Sequence, residues 1–347
     1  MKAVEEIRGR KFVSEVRNVT IDRADLAVHL KEQMVKSTPY SLDDWGMVLR
    51  SLQLVDVQPD EILPKLLSLY ESQVLAFYDP HAHTYYAIRQ LPNLPPEAAK
   101  LVDPKTLEET VMVHELMHAL QDQHFGLSAK EKALMRDTDA NLAYHAVLEG
   151  EAVLVMVAHM LKKSGIEIEE VIKDDTMLGA VSSAAAAEQM IDPSTPRYFA
   201  EMLKFPYLDG LKFVVAAYRR GGWAEIDKVH ANPPRTTREV LHPEEYFGRT
   251  FKPRAFDATK PAGALAVEHL GEFHWRHLVG RDASLGWVND RAVVYPDRRV
   301  QIDTQWENEK RAEAFAREYQ SFLEKRGLEP KITRVGVSVR ASYTANK

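Results

Sequence analysis

Apolar positions recur at helical spacing through the first part of the chain. Leu26, Leu30 and Met34 form one set; Leu52, Leu54, Ile62, Leu66 and Leu69 form a second. The pattern predicts that residues 1–70 are mostly helical after a short extended start. Two β-rich runs follow, Val74 to Phe77 and Thr84 to Ile88. They flank the turn-like stretch Tyr78-Asp79-Pro80-His81-Ala82-His83, which predicts a hairpin. Pro92, Pro95, Pro96 and Pro104 mark a loop. Helical periodicity then returns from Leu107 to His124, ending near Gly126, and from Asp137 to Lys163, ending at Ser164-Gly165. Residues 177–191 are Ala-rich and read as helix, and Asp192 to Pro196 reads as a break. Tyr198 to Lys204 and Leu208 to Arg219 read as two further helices, and Gly221-Gly222 separates them from another at Trp223 to His230.

Asn232-Pro233-Pro234 is a second break. Thr236-Thr237-Arg238-Glu239 after it reads as a capping box, with Thr236 at N-cap and Glu239 at N3. That short helix stops before His242-Pro243. The remainder mixes strand-like runs (Ala292 to Tyr295, Val300 to Thr304, Lys331 to Val339) with a helix at Glu309 to Lys325. The expected class is α+β, mostly helical.

Composition narrows the chemistry. The 347 residues carry a net charge of −6, which speaks against a broad nucleic-acid-binding face. There is no cysteine, so disulfides, Cys-ligated zinc, iron–sulfur clusters and thiol nucleophiles are all excluded. A metal here must be held by His and carboxylates. The longest apolar stretch, Ala152 to Leu161, is bracketed by Glu151 and Lys162, so no membrane span is expected. Glu5 and Glu6 stand where a signal peptide needs an apolar segment. As written the chain is expected to be cytoplasmic, or exported with its leader removed. GxGxxG, P-loop and GxSxG motifs are absent.

One segment carries chemistry: His114-Glu115-Leu116-Met117-His118, an HExxH motif on the helix predicted over 107–124. Residues four apart share a helix face, with Cβ atoms roughly 5–6 Å apart. Two imidazoles so placed can converge on one zinc ion, at Zn–N distances of about 2.0–2.1 Å. Glu115 leans toward the remaining coordination position, where it can take a proton from water and pass it to a leaving amine. The bare motif also occurs in structural helices, so a third ligand is needed. Leu148-Glu149-Gly150-Glu151-Ala152 supplies candidates, because two acids sit inside an otherwise apolar run of the next long helix. Glu149 and Glu151 lie about 200° apart on a helix, so only one can face the zinc. The other is expected to be solvated or to support the site. His145, one turn before Glu149, lines the site, serves as an alternative ligand or plays a supporting, structural part, and Asp122 orients either a ligand imidazole or a nearby loop. His274 and His277 form an HxxH without an evident third ligand and read as solvated or packing residues; His81 and His83 read as exposed.

The segment HELMHALQDQHFGL resembles the active-site helix of thermolysin-like gluzincins. LEGEA resembles the glutamate-ligand helix of gluzincins, including the aminopeptidase branch, whose ligand is the Glu before Gly. The resemblance selects Glu149 as the third ligand and leaves Glu151 as a supporting or substrate residue. Over roughly residues 5–320 the chain also resembles a family of bacterial zinc-peptidase-like proteins. The segments that carry this are Phe77-Tyr78-Asp79-Pro80, HALQDQHF, LEGEA, Phe205-Pro206-Tyr207 with Gly210, Gly221-Gly222-Trp223, His242-Pro243 with Tyr246, and Gly286-Trp287 with Asp290-Arg291.

The resemblance implies a zincin-like fold: an active-site helix, a glutamate helix and a small β-hairpin or sheet. It implies one zinc per chain and metalloprotease activity on a peptide or protein substrate. No exopeptidase anchor motif is present, so an endopeptidase is implied. Residues 1–106 are then a helical region with a hairpin edge for substrate, 107–250 the core with the metal site, and 251–347 a C-terminal α/β region. A developing oxyanion also needs a donor besides zinc. The candidates are His242, Tyr246, His230 and Tyr207, with His242 favoured. Two rivals are carried: a catalytically inactive zinc-binding interaction protein, and a His/carboxylate metal oxidase, for which paired Glu-x-x-His motifs are missing.

Overall fold

The protein is described here by a computed structural model covering residues 1–89, 103–174 and 195–346, with positions 176 and 179. The Ala-rich helix expected over 177–191, and the prolines at 92, 95, 96 and 193, lie outside the described residues apart from position 179. The architecture is α+β, 58% helical with two small sheets.

The chain opens with α1 (Lys2–Arg8), β1 (Arg17–Ile21), α2 (Arg23–Ser37), α3 (Leu42–Ser51) and α4 (Pro59–Gln73). The expected extended start is therefore a helix. Val4 on α1 is fully buried among Val113, Leu116, Met117 and Leu120, and that tertiary contact outweighs the weak local signal of a seven-residue helix. The hairpin forms as expected from β2 (Ala76–Asp79) and β3 (Thr84–Ile88), paired antiparallel. β1 adds in parallel to β3, giving the order β1-β3-β2, so β2 keeps a free edge.

Next come α5 (Pro104–Phe125), α6 (Leu127–Leu134), α7 (Thr138–Lys163) and α8 (Ile168–Ile172). Pro104, read as a loop marker, is instead the first residue of α5, where its missing N–H costs nothing. Asp103 caps this helix by accepting from the Thr106 N–H at 3.0 Å, and Gly126 ends it at φ 65°. Asp137 caps α7 through the Ala140 N–H at 3.0 Å. α7 is long and apolar enough to cross a membrane, yet 83% of its most apolar window is buried inside this fold, as for a core helix.

α9 (Arg197–Ala231) combines three expected helices. It runs through Pro206, whose ring is buried beside Phe205, so packing offsets the one backbone bond that proline removes. The break comes where the glycines stand: Gly221 and Gly222 leave helical geometry, Gly222 at φ 63° and ψ −152°. α10 (Thr237–Leu241) follows, capped by Thr236, then α11 (Pro243–Gly248).

The C-terminal part contains β4 (Ala266–Glu268), α12 (Gly271–Val279), α13 (Arg281–Ser284), β5 (Trp287–Val294), β6 (Arg299–Trp306), α14 (Glu309–Glu324), β7 (Lys331–Val335) and β8 (Ser338–Thr344). The expected strand at 331–339 is a hairpin bent at Gly336, which sits at φ 57°. The strands make an antiparallel sheet of order β4-β5-β6-β8-β7. Ala312, Phe315, Tyr319 and Leu323, one stripe of α14, pack fully buried against its inner face. This core also takes in Val48, Leu52 and Ile62, so N-terminal helices and C-terminal sheet share one hydrophobic interior.

A second core joins α7 to α9. The two backbones touch where glycines allow it. A Cβ at Gly150 would lie 2.4 Å from the Gly210 carbonyl, and one at Gly210 would lie 2.1 Å from the Ala146 oxygen. Gly210→Ala is therefore expected to lose stability by about 1–3 kcal/mol or more, because backbone cannot yield as a flexible side chain does. Chemical denaturation of the purified variant measures it.

Candidate metal centre

α5 and α7 cross with the HExxH residues of one facing the LEGEA segment of the other. His114 Nε2 lies 3.1 Å from Glu149 Oε2 and 3.1 Å from His118 Nε2; His118 Nε2 lies 3.5 Å from Glu149 Oε2. One donor atom from each residue falls within 4.8 Å of the others, a group able to hold a metal ion. His145 Nε2 is 3.4 Å from the other Glu149 oxygen, so it lines the cluster.

The hydrogen-bond network fixes the His118 tautomer. Gln121 Nε2 donates to the Leu148 carbonyl at 3.0 Å and to Glu151 Oε2 at 2.8 Å. Both partners only accept, so Gln121 must present its oxygen to His118 Nδ1, 2.9 Å away. His118 Nδ1 therefore carries the proton in the neutral ring, and Nε2 aims a lone pair into the cluster. Glu151, expected to be solvated or supporting, is fully buried behind this network. Its carboxylate accepts from Arg8 Nε at 2.5 Å and lies 2.6 Å from His230 Nε2. Arg8 also reaches Asp227 at 2.5 Å. For a metal held by this cluster, Gln121→Ala is expected to weaken binding by about 10–100-fold, since it removes the group that orients His118. Competitive titration with a chromophoric chelator reads this.

Glu115 lies next to the cluster but bonds elsewhere: its Oε2 accepts from the Tyr78 N–H on β2 at 2.9 Å. That N–H is on the strand edge not paired to β3. Asp122 fixes the hairpin to α5, accepting from the Tyr78 hydroxyl at 2.8 Å and the Leu127 N–H at 2.9 Å and lying 2.7 Å from His83 Nδ1. It serves the loop and not a ligand imidazole.

The four candidate donors separate. Tyr207 stacks on His114 with ring centroids 5.9 Å apart, and burial, with the nearby Glu149 charge, raises its hydroxyl well above the ordinary range. His242 instead lies 2.8 Å from Glu272 Oε1 and 3.8 Å from Glu244. His230 is held by Glu151, and the Tyr246 hydroxyl donates to the Asn232 carbonyl. His274 packs between the Tyr198 hydroxyl and the Leu270 carbonyl, and His277 pairs with Glu201.

Electrostatics follow from burial and from this packing. Burial opposes charge on Glu149, but the His118 and His114 imidazoles outweigh it and hold the carboxyl well below its ordinary range. Burial likewise opposes protonation of His118, yet Glu149 raises it to about 9. Burial raises Glu115, with the imidazoles opposing. The Glu149 charge is thus matched by a proton on His118. A divalent cation matches it without one, and two imidazole nitrogens plus a carboxylate oxygen fit such a cation.

Gln121 could have been found by spacing, since i and i+3 share the helix face. Arg8 could not, because it meets Glu151 across 143 positions of sequence.

The family described as a domain of unknown function (DUF8575) matches residues 246–345. That segment holds the five-stranded sheet and its helices, and excludes the cluster. No curated protein and no solved structure matches the chain.

Proposed function

We propose that the chain is a zinc-dependent metallopeptidase of the gluzincin type, acting as an endopeptidase. The observation that carries this is the convergence of His114, His118 and Glu149, with the half-buried Glu115 carboxylate at the next helical position. A zinc ion held by those three residues supplies a Lewis acid that polarises a peptide carbonyl and lowers the pKa of water to about 7.

Glu115 then works as general base and acid. Its raised proton affinity brings it toward neutral pH, where it can accept a proton from water and return it to the leaving amine. The outer edge of β2, not paired to another strand among the described residues, can take an extended peptide by main-chain pairing, and the bond from the Tyr78 N–H to Glu115 sets that edge at the general base. The α5, α7 and β2 arrangement is the zincin-like element of this reading. The oxyanion donor in this reading is Tyr207 in place of His242, because Tyr207 stacks on His114 and feels the Glu149 charge while His242 is engaged by Glu272.

Metal analysis and peptide hydrolysis test the reading together. One zinc per chain, with hydrolysis abolished by a chelator and restored by zinc, is the expected result. Zinc without hydrolysis of any peptide in a library would leave an inactive zinc-binding protein; two irons per chain would mean a helical metal oxidase. Tyr207→Phe is expected to keep the zinc and lower kcat and kcat/KM together by about 10²–10³-fold, as loss of an oxyanion donor does. His242→Ala should leave both nearly unchanged.

A further inference from the structure

A cavity of about 960 Å³ adjoins the metal cluster, and its wall includes His145, the residue 3.4 Å from Glu149. Whole drug-sized ligands occupy pockets of roughly 300–1,000 Å³, so this one exceeds what a single amino-acid side chain fills. Leu30 and Met34 on α2 form one side, Trp45 and Leu49 on α3 the next, and Leu148 on α7 and Met202 on α9 the others. Tyr70, on the same wall, is raised by burial and by the nearby Glu149 charge, which sets the cavity on the cluster's flank.

Elsewhere along the wall Glu268 accepts from the Tyr40 and Thr138 hydroxyls, so its carboxylate oxygens are already engaged. The lining that remains to a ligand is predominantly apolar. α2 is also tied to the strand beside Glu115: Gln33 Nε2 donates to Asp79 Oδ2 at 2.6 Å, next to Tyr78. The cavity wall, the β2 edge and the general base are therefore held in one register.

We infer that this cavity is a substrate subsite that takes an apolar peptide segment of several residues adjoining the scissile bond, and not one side chain alone. The inference rests on the peptidase reading for the bond that is cut, but the binding it predicts needs only the cavity. An extended peptide on the β2 edge sends alternate side chains to one face, so two bulky residues of a short run enter together. Burying them removes the open apolar lining from water, which is the source of the selectivity. The N-terminal helices α2 and α3 are then parts of the substrate site.

The test compares two fluorescent decapeptides, one with Leu-Phe-Leu at its centre and one with Ala-Ala-Ala. Binding to the full chain is read by polarisation, with zinc present and again after chelation, and hydrolysis is followed separately. The apolar peptide is expected to bind at least about tenfold more tightly in both conditions. Met34→Trp, Met202→Trp and Leu30→Trp, each at a half-buried lining position, are expected to reduce that preference to less than threefold while zinc content is unchanged. Circular dichroism selects the folded variants among the three. Equal binding of the two peptides would overturn the subsite, as would a preference that every folded Trp variant retains. Tight, selective binding without hydrolysis would overturn the peptidase reading and leave the subsite standing.

Discussion

Glu115→Gln is expected to keep the zinc and the fold and to lose turnover by about 10²–10⁴-fold, the usual share of general acid–base catalysis. The substitution is close to isosteric. The Tyr78 N–H that now donates to Glu115 Oε2 can donate to an amide oxygen at the same place, so the β2 edge stays registered to α5. What disappears is the group that accepts and returns a proton. Zinc stoichiometry, circular dichroism and steady-state hydrolysis, measured on one preparation, separate these effects. Retained turnover with zinc bound would remove Glu115 from the mechanism. The matching change at Glu149 is expected to act differently, because that residue is itself a proposed donor to the metal and its loss should show first as loss of zinc.

Glu151→Gln is expected to destabilise the fold by about 3–5 kcal/mol, the cost of breaking a buried ion pair from one side. Glu151 and the Arg8 side chain are both almost fully shielded, and His230, also fully buried, shares the same carboxylate. With the charge gone, Arg8 keeps Asp227, but its Nε and the His230 ring face a neutral amide in a dry interior. The double variant Arg8→Met, Glu151→Leu is expected to recover part of the loss, because removing both charges leaves fewer stranded groups. Urea titration of the two variants measures the difference. Equal stability of Glu151→Gln and the unmodified chain would mean that the network contributes nothing.

Glu149 and Glu151, separated by one glycine, show where sequence reasoning reaches and where it stops. HExxH on α5 was legible because i and i+4 neighbours are fixed by helix geometry before any tertiary contact forms. The acid pair was legible for a related reason, since an acid amid Ala146, Val147 and Leu148 needs a cation or a donor, but the pattern left Glu149 and Glu151 open and the resemblance to gluzincins selected Glu149. The cap at Thr236 and the break at Gly221-Gly222 were also readable, since each is a local backbone requirement, whereas the caps at Asp103 and Asp137 emerged only from the structure.

What sequence alone determined, then, is a set of local devices: the long helices around the motif, the stops at Gly126 and Gly221-Gly222, and which face of α5 carries nitrogen donors. Only the tertiary structure decided the partners. The Gly150–Gly210 contact brings α7 and α9 to backbone distance, and that approach sets Tyr207 against Glu149 and His114 while His242 goes to Glu272. The helix α1, with no strong signal of its own, forms because Val4 and Arg8 find burial and a counter-charge on elements over a hundred residues away. Periodicity reports the face a residue occupies on its own element; the crossing of two elements depends on side chains and glycines from both, so no single stretch of chain contains it.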